Sequence, residues 1–404
     1  MTIVLRNGTI WDATGNAPTE RGVLLIEDRH IAAVGSEQTV GIPDGAEVVD
    51  VEGGFILPGL IDSHNHLGLA TDVDILDQIH APDARISQQA IHRGWRHLRS
   101  GVTTMRLCGE RNFMDVEWRD GFASELLPGP RLVVSGPGLT ARHGHMAHAW
   151  STIVQGPESV REAVRTNIRN GADFIKLFIT GSRATRWTQP RTTYLSRAEI
   201  EMAIDEAHRA GRPVTAHCHG GEGLLWALEA GIDCIEHGAN FTEEEVCRIA
   251  AAGIPQVITL GVYFDTHVPA PDALDHIHPR YQPSFEATGR SYKAGTPIAA
   301  GADTRHANYN LVFELQCLLK CGLTTEDALL AATRRGAEVC RLKDSLGTLE
   351  PGKLADVLVV KGNPLEDVTA LANVVRVYKE GRLVDVPAEV PVRSSEGPKA
   401  GPVY

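Results

Sequence analysis

Short apolar runs separated by turn residues fill the first part of the chain. IVLRNGTIWD, GVLLIEDRHIAAVG and AEVVDVEGGFILPG have the apolar clustering typical of β strands. We expect hairpin turns at Asn7-Gly8, a favoured turn pair, and near Glu27-Asp28. The same pattern returns in LADVLVVKGN and VVRVYKEGRLVDV near the other end. We therefore predict one small β-sandwich domain built from residues 1–56 and 345–390.

Between these segments, apolar strand-like runs alternate with helical patterns, which is typical of βαβ units around a parallel sheet. Ser196 and Glu199 form a capping box at the start of one helical pattern, and Gly231 closes another. The predicted strands are 55–64, 102–108, 131–136, 173–179, 213–217, 234–237, 255–260 and 297–303. Eight strands favour a closed (β/α)8 TIM barrel, which we place at 57–344. The polar, Pro- and Gly-rich residues 391–404 are expected to form a flexible tail.

Polar side chains stand at or near the carboxyl ends of five predicted strands, where a barrel of this type carries its catalytic residues. They are His64, His66, Lys176, His217, His237 and Asp303. In an extended segment His64 and His66 share a face, so both can point to one cation. An isolated pair of this kind is a weak signal, and a single strand-end histidine is more often structural. Four histidines and an aspartate converging on one barrel mouth indicate a site for Zn²⁺ or Mn²⁺.

Lys176 lies inside the apolar strand DFIKLFI, where a charged ammonium is costly to desolvate. A neutral lysine amine can react with CO₂ to give a carbamate, whose two oxygens can bridge two cations. The alternative is an inward-pointing lysine in a buried ion pair. Asp303 follows the strand PIAAGA, where a carboxylate can ligate a metal and transfer protons as a general acid–base. Bound metals would lower the pKa of a bridging water and polarise the scissile carbonyl.

Composition narrows the class of protein. The chain has 404 residues, 43% hydrophobic and 22% charged, with a net charge of −12. This acidity argues against nucleic acid or anionic membrane as the main partner and is consistent with simple solubility. We find neither an apolar run of the roughly 18 residues that span a bilayer nor a signal peptide. The seven cysteines form no CxxC pair, so we expect reduced thiols and a cytoplasmic location.

The motifs together resemble the amidohydrolase superfamily. PGLIDSHNH is similar to its first-strand HxH motif and FIKLF to its fourth-strand carboxylated lysine. TAHCHG, IEHG and GADT resemble the motifs that end strands five, six and eight, and GTLEPGKLADVLVVKGNPLED resembles its closing sandwich segment. The resemblance implies two divalent metal ions, Zn²⁺ or else Mn²⁺ or Co²⁺, with a carbamate on Lys176. It also implies hydrolysis of an amide C–N bond by a metal-bridging hydroxide, and a homo-oligomer.

Within the superfamily, the chain is most similar to the Xaa-Pro dipeptidase and imidazolonepropionase-like group, which includes carboxypeptidase-like and ochratoxinase-like enzymes. SGVTTMR, LTARHGHMAHAW and the FIKL and TGS segments carry this similarity. A histidine after strand three polarises the substrate carbonyl in that group. His143 matches it best, with His145 as the alternative. Tyr263, after strand seven, is expected either to line the substrate pocket or to be a packing aromatic.

Two departures from the group concern the substrate. Ala141-Arg142 replaces a Gly pair before the strand-three histidine, and TGSRATRWTQPR replaces a Gly-rich stretch after strand four. The arginines near the expected mouth are Arg183, Arg186, Arg191 and Arg305. Individually each suits a solvated loop, but as a group they indicate recognition of a substrate carboxylate.

We therefore expect a small-molecule substrate, a dipeptide or N-acyl amino acid. Hydrolysis of carbamates, ureas or lactones on the same centre is an alternative that the sequence leaves open. A mononuclear deaminase is a second alternative, although such enzymes lack the strand-four lysine. A non-catalytic scaffold is a third, although such relatives typically lose metal ligands and all six predicted ligands are present here.

Overall fold

The computed structural model describes residues 1–69, 79–147, 150–183, 185, 187–264, 274–303 and 311–385. Two arginines of the predicted mouth, Arg186 and Arg305, lie outside the described residues. The last residues of the predicted sandwich and the predicted tail, 386–404, lie outside them as well.

Strands and helices alternate through most of the described chain. The strands are β1 Thr2–Ile10, β2 Thr19–Glu27, β3 His30–Ser36, β4 Glu47–Asp50, β5 Phe55–Pro58, β6 Leu60–Asn65, β7 Val102–Leu107, β8 Arg131–Val134, β9 Gly138–Ala141, β10 Ser151–Val154, β11 Ile175–Phe178, β12 Val214–Cys218, β13 Cys234–His237, β14 Gln256–Ile258, β15 Ile298–Ala300, β16 Val357–Val360, β17 Val374–Lys379 and β18 Arg382–Val384. The α-helices are α1 Asp83–Arg99, α2 Met114–Ala123, α3 Pro157–Arg169, α4 Arg197–Arg209, α5 Glu222–Glu229, α6 Glu243–Ala252, α7 Gln282–Lys293, α8 Leu311–Lys320, α9 Thr325–Ala331 and α10 Arg334–Val339.

Both ends of the chain contribute to one eight-stranded sheet, which we call the terminal sheet. Its order is β18-β17-β16-β5-β1-β2-β3, with β4 paired to β1. The two ends meet where β5 pairs antiparallel with β16, placing Phe55 opposite Val360. Alternating apolar residues such as Leu5, Leu24 and Val359 are fully buried in its core. This is the pairing of chain ends on which the predicted sandwich depends; the sandwich and its boundaries remain predictions.

The hairpin predicted at Asn7-Gly8 is wrong. Strand β1 continues through these residues to Ile10, with Arg6 opposite Val23 and Gly8 opposite Gly22. Asn7 is the extra residue of a bulge and takes a φ of 61°, which asparagine tolerates. No Cβ fits at Gly8, because it would lie 2.6 Å from the carbonyl oxygen of Gly54. The Asn-Gly pair therefore serves a bulge in a continuing strand, whereas the turn near Glu27-Asp28 joins β2 to β3 as predicted.

Parallel strands form the rest of the fold, in a three-stranded sheet β6-β7-β8 and a seven-stranded sheet β10-β9-β11-β12-β13-β14-β15. All eight predicted strands are present, but the first one divides at Gly59. Its first half, β5, joins the terminal sheet, while its second half, β6, pairs with β7. A glycine is needed where the partner changes, because a Cβ at position 59 would clash with the side chain of Thr103.

Backbone hydrogen bonds link the two parallel sheets at two places. The carbonyl of Val134 at the end of β8 accepts from the amide of Asp173, which precedes β11, at 2.7 Å. Beyond β15, the amide of Asp303 donates to the carbonyl of His64 at 2.8 Å. The chain therefore has the predicted α/β class, and closure of its parallel strands into a barrel stays a prediction.

Amphipathic helices cover the parallel strands. Helix α4 begins at Ser196, whose side chain and that of Glu199 form the predicted capping box. Its inward stripe includes Ile200, Ala203 and Ile204, all buried. None of the helices in the described residues is long and apolar enough to cross a membrane.

Candidate metal centre and active site

The carboxyl ends of β6, β12, β13 and β15 bring histidines and an aspartate together. The ring centres of His64 and His237 are 4.7 Å apart, and those of His217 and His237 are 4.6 Å apart. Asp303 Oδ1 lies 3.6 Å from His66 Nε2 and 3.9 Å from His64 Nε2. The five side chains predicted as strand-end ligands thus face one another.

Two of these residues have strained backbone. His237 has a φ of 69° and Asp303 a φ of 44°, in the left-handed region that non-glycine residues seldom adopt. Such conformations cost about 1–3 kcal/mol each and persist where surrounding structure holds them, often at functional sites. Here they turn the chain sharply at two strand ends and direct both side chains toward the cluster.

Hydrogen bonds on the far sides of the rings determine which nitrogen faces the cluster. His64 Nδ1 lies 2.7 Å from a carboxylate oxygen of Glu236, and His66 Nδ1 donates to the carbonyl of Gly109 at 3.0 Å. His237 Nδ1 contacts the Thr259 hydroxyl at 2.6 Å. These three histidines therefore present Nε2. His217 is reversed, because its Nε2 donates to the carbonyl of Gly181 at 3.1 Å and leaves Nδ1 toward the cluster.

Burial favours the neutral form of His66, His217 and His237, which is the form that binds a metal ion. Desolvation lowers the pKa of His66 to about 4, with the neighbouring positive charges as smaller causes. Desolvation and the adjacent imidazoles hold the pKa values of His217 and His237 well below the ordinary range.

Lys176 lies on β11 beneath this cluster. It is 0% exposed, and its Nζ has no hydrogen-bond partner in the described part of the chain. Its Nζ is 5.4 Å from the ring centre of Phe178, and its charge contributes to lowering the pKa of His66, His217 and His237. Since no described carboxylate pairs with it, the structure gives no support to the ion-pair alternative for this lysine.

A cavity of about 280 Å³ opens above the cluster. We call it the active-site cavity. Its described lining is His64, His66, Leu69, His145, Met146, Phe178, Ser182, Arg183, Pro190, His217, His219, His237, Val262, Tyr263, Arg280, Tyr281 and Asp303.

The two candidate histidines after strand three separate in the structure. His145 is buried in the cavity wall, with its ring 4.5 Å from that of His217 and its Nδ1 2.6 Å from the Thr185 hydroxyl. His143 is exposed, packs its ring on Tyr194 and does not line the cavity. A tight turn with Met146 at a φ of 61° directs the second histidine, rather than the first, inward.

The arginines and Tyr263 also differ in placement. Arg183 lines the cavity and donates to the side-chain oxygen of Asn240 at 3.3 Å. Arg191 is not part of the cavity lining and forms a bidentate ion pair with Glu245, with N–O distances of 2.8 and 2.9 Å. Tyr263 lines the cavity and stacks on Tyr281, with ring centres 5.1 Å apart. Burial raises the pKa of the Tyr263 phenol, so this hydroxyl is a donor at neutral pH.

Several residues in or under the site were not identified by the sequence analysis, and four of them are charged or can donate a hydrogen bond from a long side chain. Arg280 and Tyr281 line the cavity from the segment before α7, where the sequence offers no strand-end signal. Glu236 and Arg106 lie under the cluster, 2.7 Å apart, and both are charged residues inside buried strands. A charged residue inside an apolar strand is the signal that identified Lys176, and the segments CIEH and VTTMRL carry the same signal for Glu236 and Arg106.

Comparisons with known proteins agree with this geometry. The sequence pattern of the Amidohydrolase family matches residues 55–384. Ochratoxinase from Aspergillus niger is 29% identical over 413 residues, covering 92% of this chain and 84% of that protein. Imidazolonepropionase from Anaeromyxobacter sp. (strain K) is 25% identical, covering 95% and 96%.

A solved structure of a Xaa-Pro dipeptidase with bound methionine superposes with a TM-score of 0.85. It is 26% identical and covers 95% of this chain and all of that one. The family match spans well over half of the chain and includes every residue of the cluster, so the resemblance seen in the motifs is confirmed. The chain belongs to the amidohydrolase family and is a hydrolase.

Proposed function

We propose that this protein is a binuclear metal-dependent amidohydrolase that cleaves the amide C–N bond of an N-acyl amino acid or dipeptide. The observation that carries the proposal is the convergence of four imidazoles and Asp303 above a buried lysine whose Nζ has no hydrogen-bond partner among the described residues. We further propose that β6 to β8 and β11 to β15 close into a (β/α)8 barrel, consistent with the backbone hydrogen bonds that join Asp173 to Val134 and Asp303 to His64.

The donor set suits two divalent ions. Ligand atoms of His64, His66 and Asp303 all lie within 4.8 Å of one another, and His217 and His237 contribute further nitrogens. Imidazole and carboxylate ligands suit Zn²⁺, with Mn²⁺ or Co²⁺ as alternatives. Lys176 would supply a bridging carbamate: its ammonium loses one proton to give the amine, the amine forms a C–N bond to CO₂, and a second proton leaves. The product would be an anion, which suits a place among cations better than a buried ammonium does.

Bound ions would acidify the attacking water and polarise the scissile carbonyl. The protein's own groups have separate tasks. Asp303 takes the proton from the water and later delivers it to the nitrogen of the leaving amine. His145, buried in the cavity wall, donates a hydrogen bond to the carbonyl oxygen as charge develops there. This assigns to His145 the role for which His143 matched the family pattern.

The cavity also supports a substrate class. Arg183 and Arg280 line it, and no carboxylate in the described chain pairs with either. A guanidinium in such a wall suits a carboxylate on the substrate. Leu69, Met146 and Phe178 form an apolar part of the lining, which fits an apolar acyl group or side chain. A solved relative, a prolidase complexed with N-methylphosphonate-L-proline, is 27% identical with a TM-score of 0.85 and covers 95% of this chain and 99% of that one.

The test combines metal analysis with a matched substrate panel. Protein purified with Zn²⁺ or Mn²⁺ is expected to hold two equivalents of metal per chain. It should release amine from dipeptides and N-acyl amino acids faster than from the same amides lacking the carboxylate. Turnover of only neutral amides, carbamates or ureas would remove the carboxylate-bearing class. Full activity with one equivalent would instead favour the mononuclear deaminase type.

We retain as predictions a cytoplasmic location and a homo-oligomer.

A further inference from the structure

We propose that Glu236, held by Arg106, is a positioning residue that fixes the ring orientation and the metal-facing nitrogen of His64. This inference rests on the metal centre of the proposed function. It concerns an ion pair beneath the cluster, whose residues do not line the active-site cavity.

The geometry of Glu236 divides its two oxygens between different tasks. Oε2 accepts from His64 Nδ1 at 2.7 Å, which leaves His64 Nε2 facing Asp303. Oε1 accepts from Arg106 Nη1 at 2.7 Å and from the hydroxyl of Thr215. Because both oxygens are engaged, the carboxylate cannot turn away from His64 without breaking contacts on the opposite side.

Arg106 is itself held in place. Its Nη1 also donates to the carbonyl of Ser63 at 3.1 Å, and its guanidinium carbon lies 4.2 Å from the ring centre of Phe174. Glu236 is 0% exposed and Arg106 3% exposed, so water does not compete for these bonds. The pair therefore connects β6, β7, β12 and β13 directly beneath the cluster.

His64 differs in this respect from the other histidines of the cluster. Carbonyl oxygens of Gly109 and Gly181 orient His66 and His217, and a hydroxyl orients His237. An ionised carboxylate on the second ring nitrogen raises the basicity of a histidine ligand and fixes its tautomer, and loss of such a partner typically weakens metal affinity by about 10–100-fold. Among these four, His64 receives that partner from Glu236.

A purely structural role for the ion pair is the competing explanation. Removing one partner leaves the other charge buried and destabilises the fold, whereas replacing both with apolar residues is often neutral or stabilising. Stability and metal binding therefore separate the two roles. The informative variants are Glu236→Gln and the double variant Arg106→Met/Glu236→Met. Asp356→Asn is the matched control, since it weakens the Arg131–Asp356 pair, 2.7 Å apart and remote from the cluster.

The experiment measures Zn²⁺ affinity of metal-free full-length protein by competition with a chromophoric chelator, with thermal unfolding of the same samples. A Co²⁺ absorption spectrum provides a second readout of ligand geometry. We expect one of two Zn²⁺ equivalents to bind about 10–100-fold more weakly in Glu236→Gln. We expect the same loss and an altered Co²⁺ spectrum in the double variant, although its folding stability is restored. Asp356→Asn should lose stability and keep wild-type affinity.

Wild-type Zn²⁺ affinity in the double variant would overturn the positioning role. If Glu236→Gln does not fold, the double variant alone decides between the two outcomes. Failure of the wild-type protein to bind Zn²⁺ would overturn the metal centre and with it this inference, a result distinct from loss in the variants only.

Discussion

Arg131 and Lys176 are two cations largely withdrawn from water, and the described chain surrounds them differently. Where the terminal sheet meets β8, Arg131 donates to Asp356 at 2.7 Å, to Glu380 at 2.6 Å and to the Thr104 hydroxyl at 2.9 Å. Beneath the histidine cluster, Lys176 is completely buried and its Nζ has no hydrogen-bond partner among the described residues. The first cation has its counter-charges within the chain, whereas the second has no carboxylate paired with it among the described residues.

The difference shows why burial of a charge does not by itself identify a functional site. Arg131 is explained by joining two parts of the fold, because its anionic partners come from the terminal sheet and the segment leading into it. Lys176 lies among metal-type ligands and has no such partner among the described residues, which is consistent with the carbamate that we propose. The number of described partners therefore distinguishes the structural cation from the one for which we propose a reactive role.

The largest expected effect follows from removing the reactive cation. Lys176→Ala should lose more than about 100-fold in turnover of the metal-loaded enzyme, since even outer partners of metal ligands are worth about 10–100-fold. Short carboxylic acids should restore part of the activity by replacing the carbamate. Amine-release kinetics with and without added propionate measure both effects. Full activity in Lys176→Ala would exclude the carbamate bridge.

Removal of the structural cation should act on stability instead. Arg131→Met leaves Asp356 buried and unpaired, and breaking such a pair costs about 3 kcal/mol, the lower end of the range for buried pairs because Arg131 is partly exposed. Denaturant unfolding gives the loss in free energy of unfolding. The variant's turnover per folded molecule should equal that of the wild type. A lower turnover at unchanged stability would contradict the structural assignment.

Prediction from sequence succeeded where a residue's location follows from its position on a strand. Parallel strands end at one edge, so the convergence of His64, His66, His217, His237 and Asp303 could be predicted from the apolar runs, while their role as metal ligands stays a prediction. The choice between His143 and His145 could not, because the backbone of a turn determines which of them points inward. Glu236 could be noticed as a buried charge, but its partners Arg106 and His64 lie 130 and 172 residues away. Whether Asn7-Gly8 forms a turn or a bulge likewise depends on a partner elsewhere in the sequence, because the pairing of β1 with β2 decides it.

Glu314 is an intermediate case: it is a buried carboxyl that accepts hydrogen bonds from backbone amides and has no ion-pair partner among the described residues. The amides of Leu260 and Gly261 donate to it at 2.8 and 2.7 Å, yet burial raises its pKa from 4.5 to about 8. Between those pH values the folded state binds more protons than the unfolded state, so stability falls as pH rises from 4.5 to 8. One proton contributes at most about 1.4 kcal/mol per pH unit.

Glu314→Gln stays neutral in both states and should therefore have a shallower decline of unfolding free energy across this window. Denaturant unfolding at pH 5, 6, 7 and 8 compares the two proteins. Other buried acids such as Glu110, whose pKa burial also raises to about 8, contribute equally to both and cancel in the difference. Parallel curves would show that Glu314 titrates similarly in the folded and unfolded states.

The smallest expected effect concerns two arginines in the wall of the active-site cavity, which we propose bind the carboxylate of the substrate. Arg183 and Arg280 line the active-site cavity without a carboxylate partner in the described chain, whereas Arg191 has Glu245. A hydrogen bond to a charged group contributes about 1.5–3 kcal/mol, so Arg183→Gln and Arg280→Gln should each raise KM for N-acyl amino acids about tenfold or more. Matched neutral amides should show unchanged KM. Arg191→Gln is the control that should affect stability rather than KM for the acids. An equal rise in KM for acids and neutral amides in all three variants would instead show that these arginines shape the loops and do not bind the carboxylate. The distinction between cations with and without an ion-pair partner would then apply to Lys176 but not to the arginines of the cavity wall.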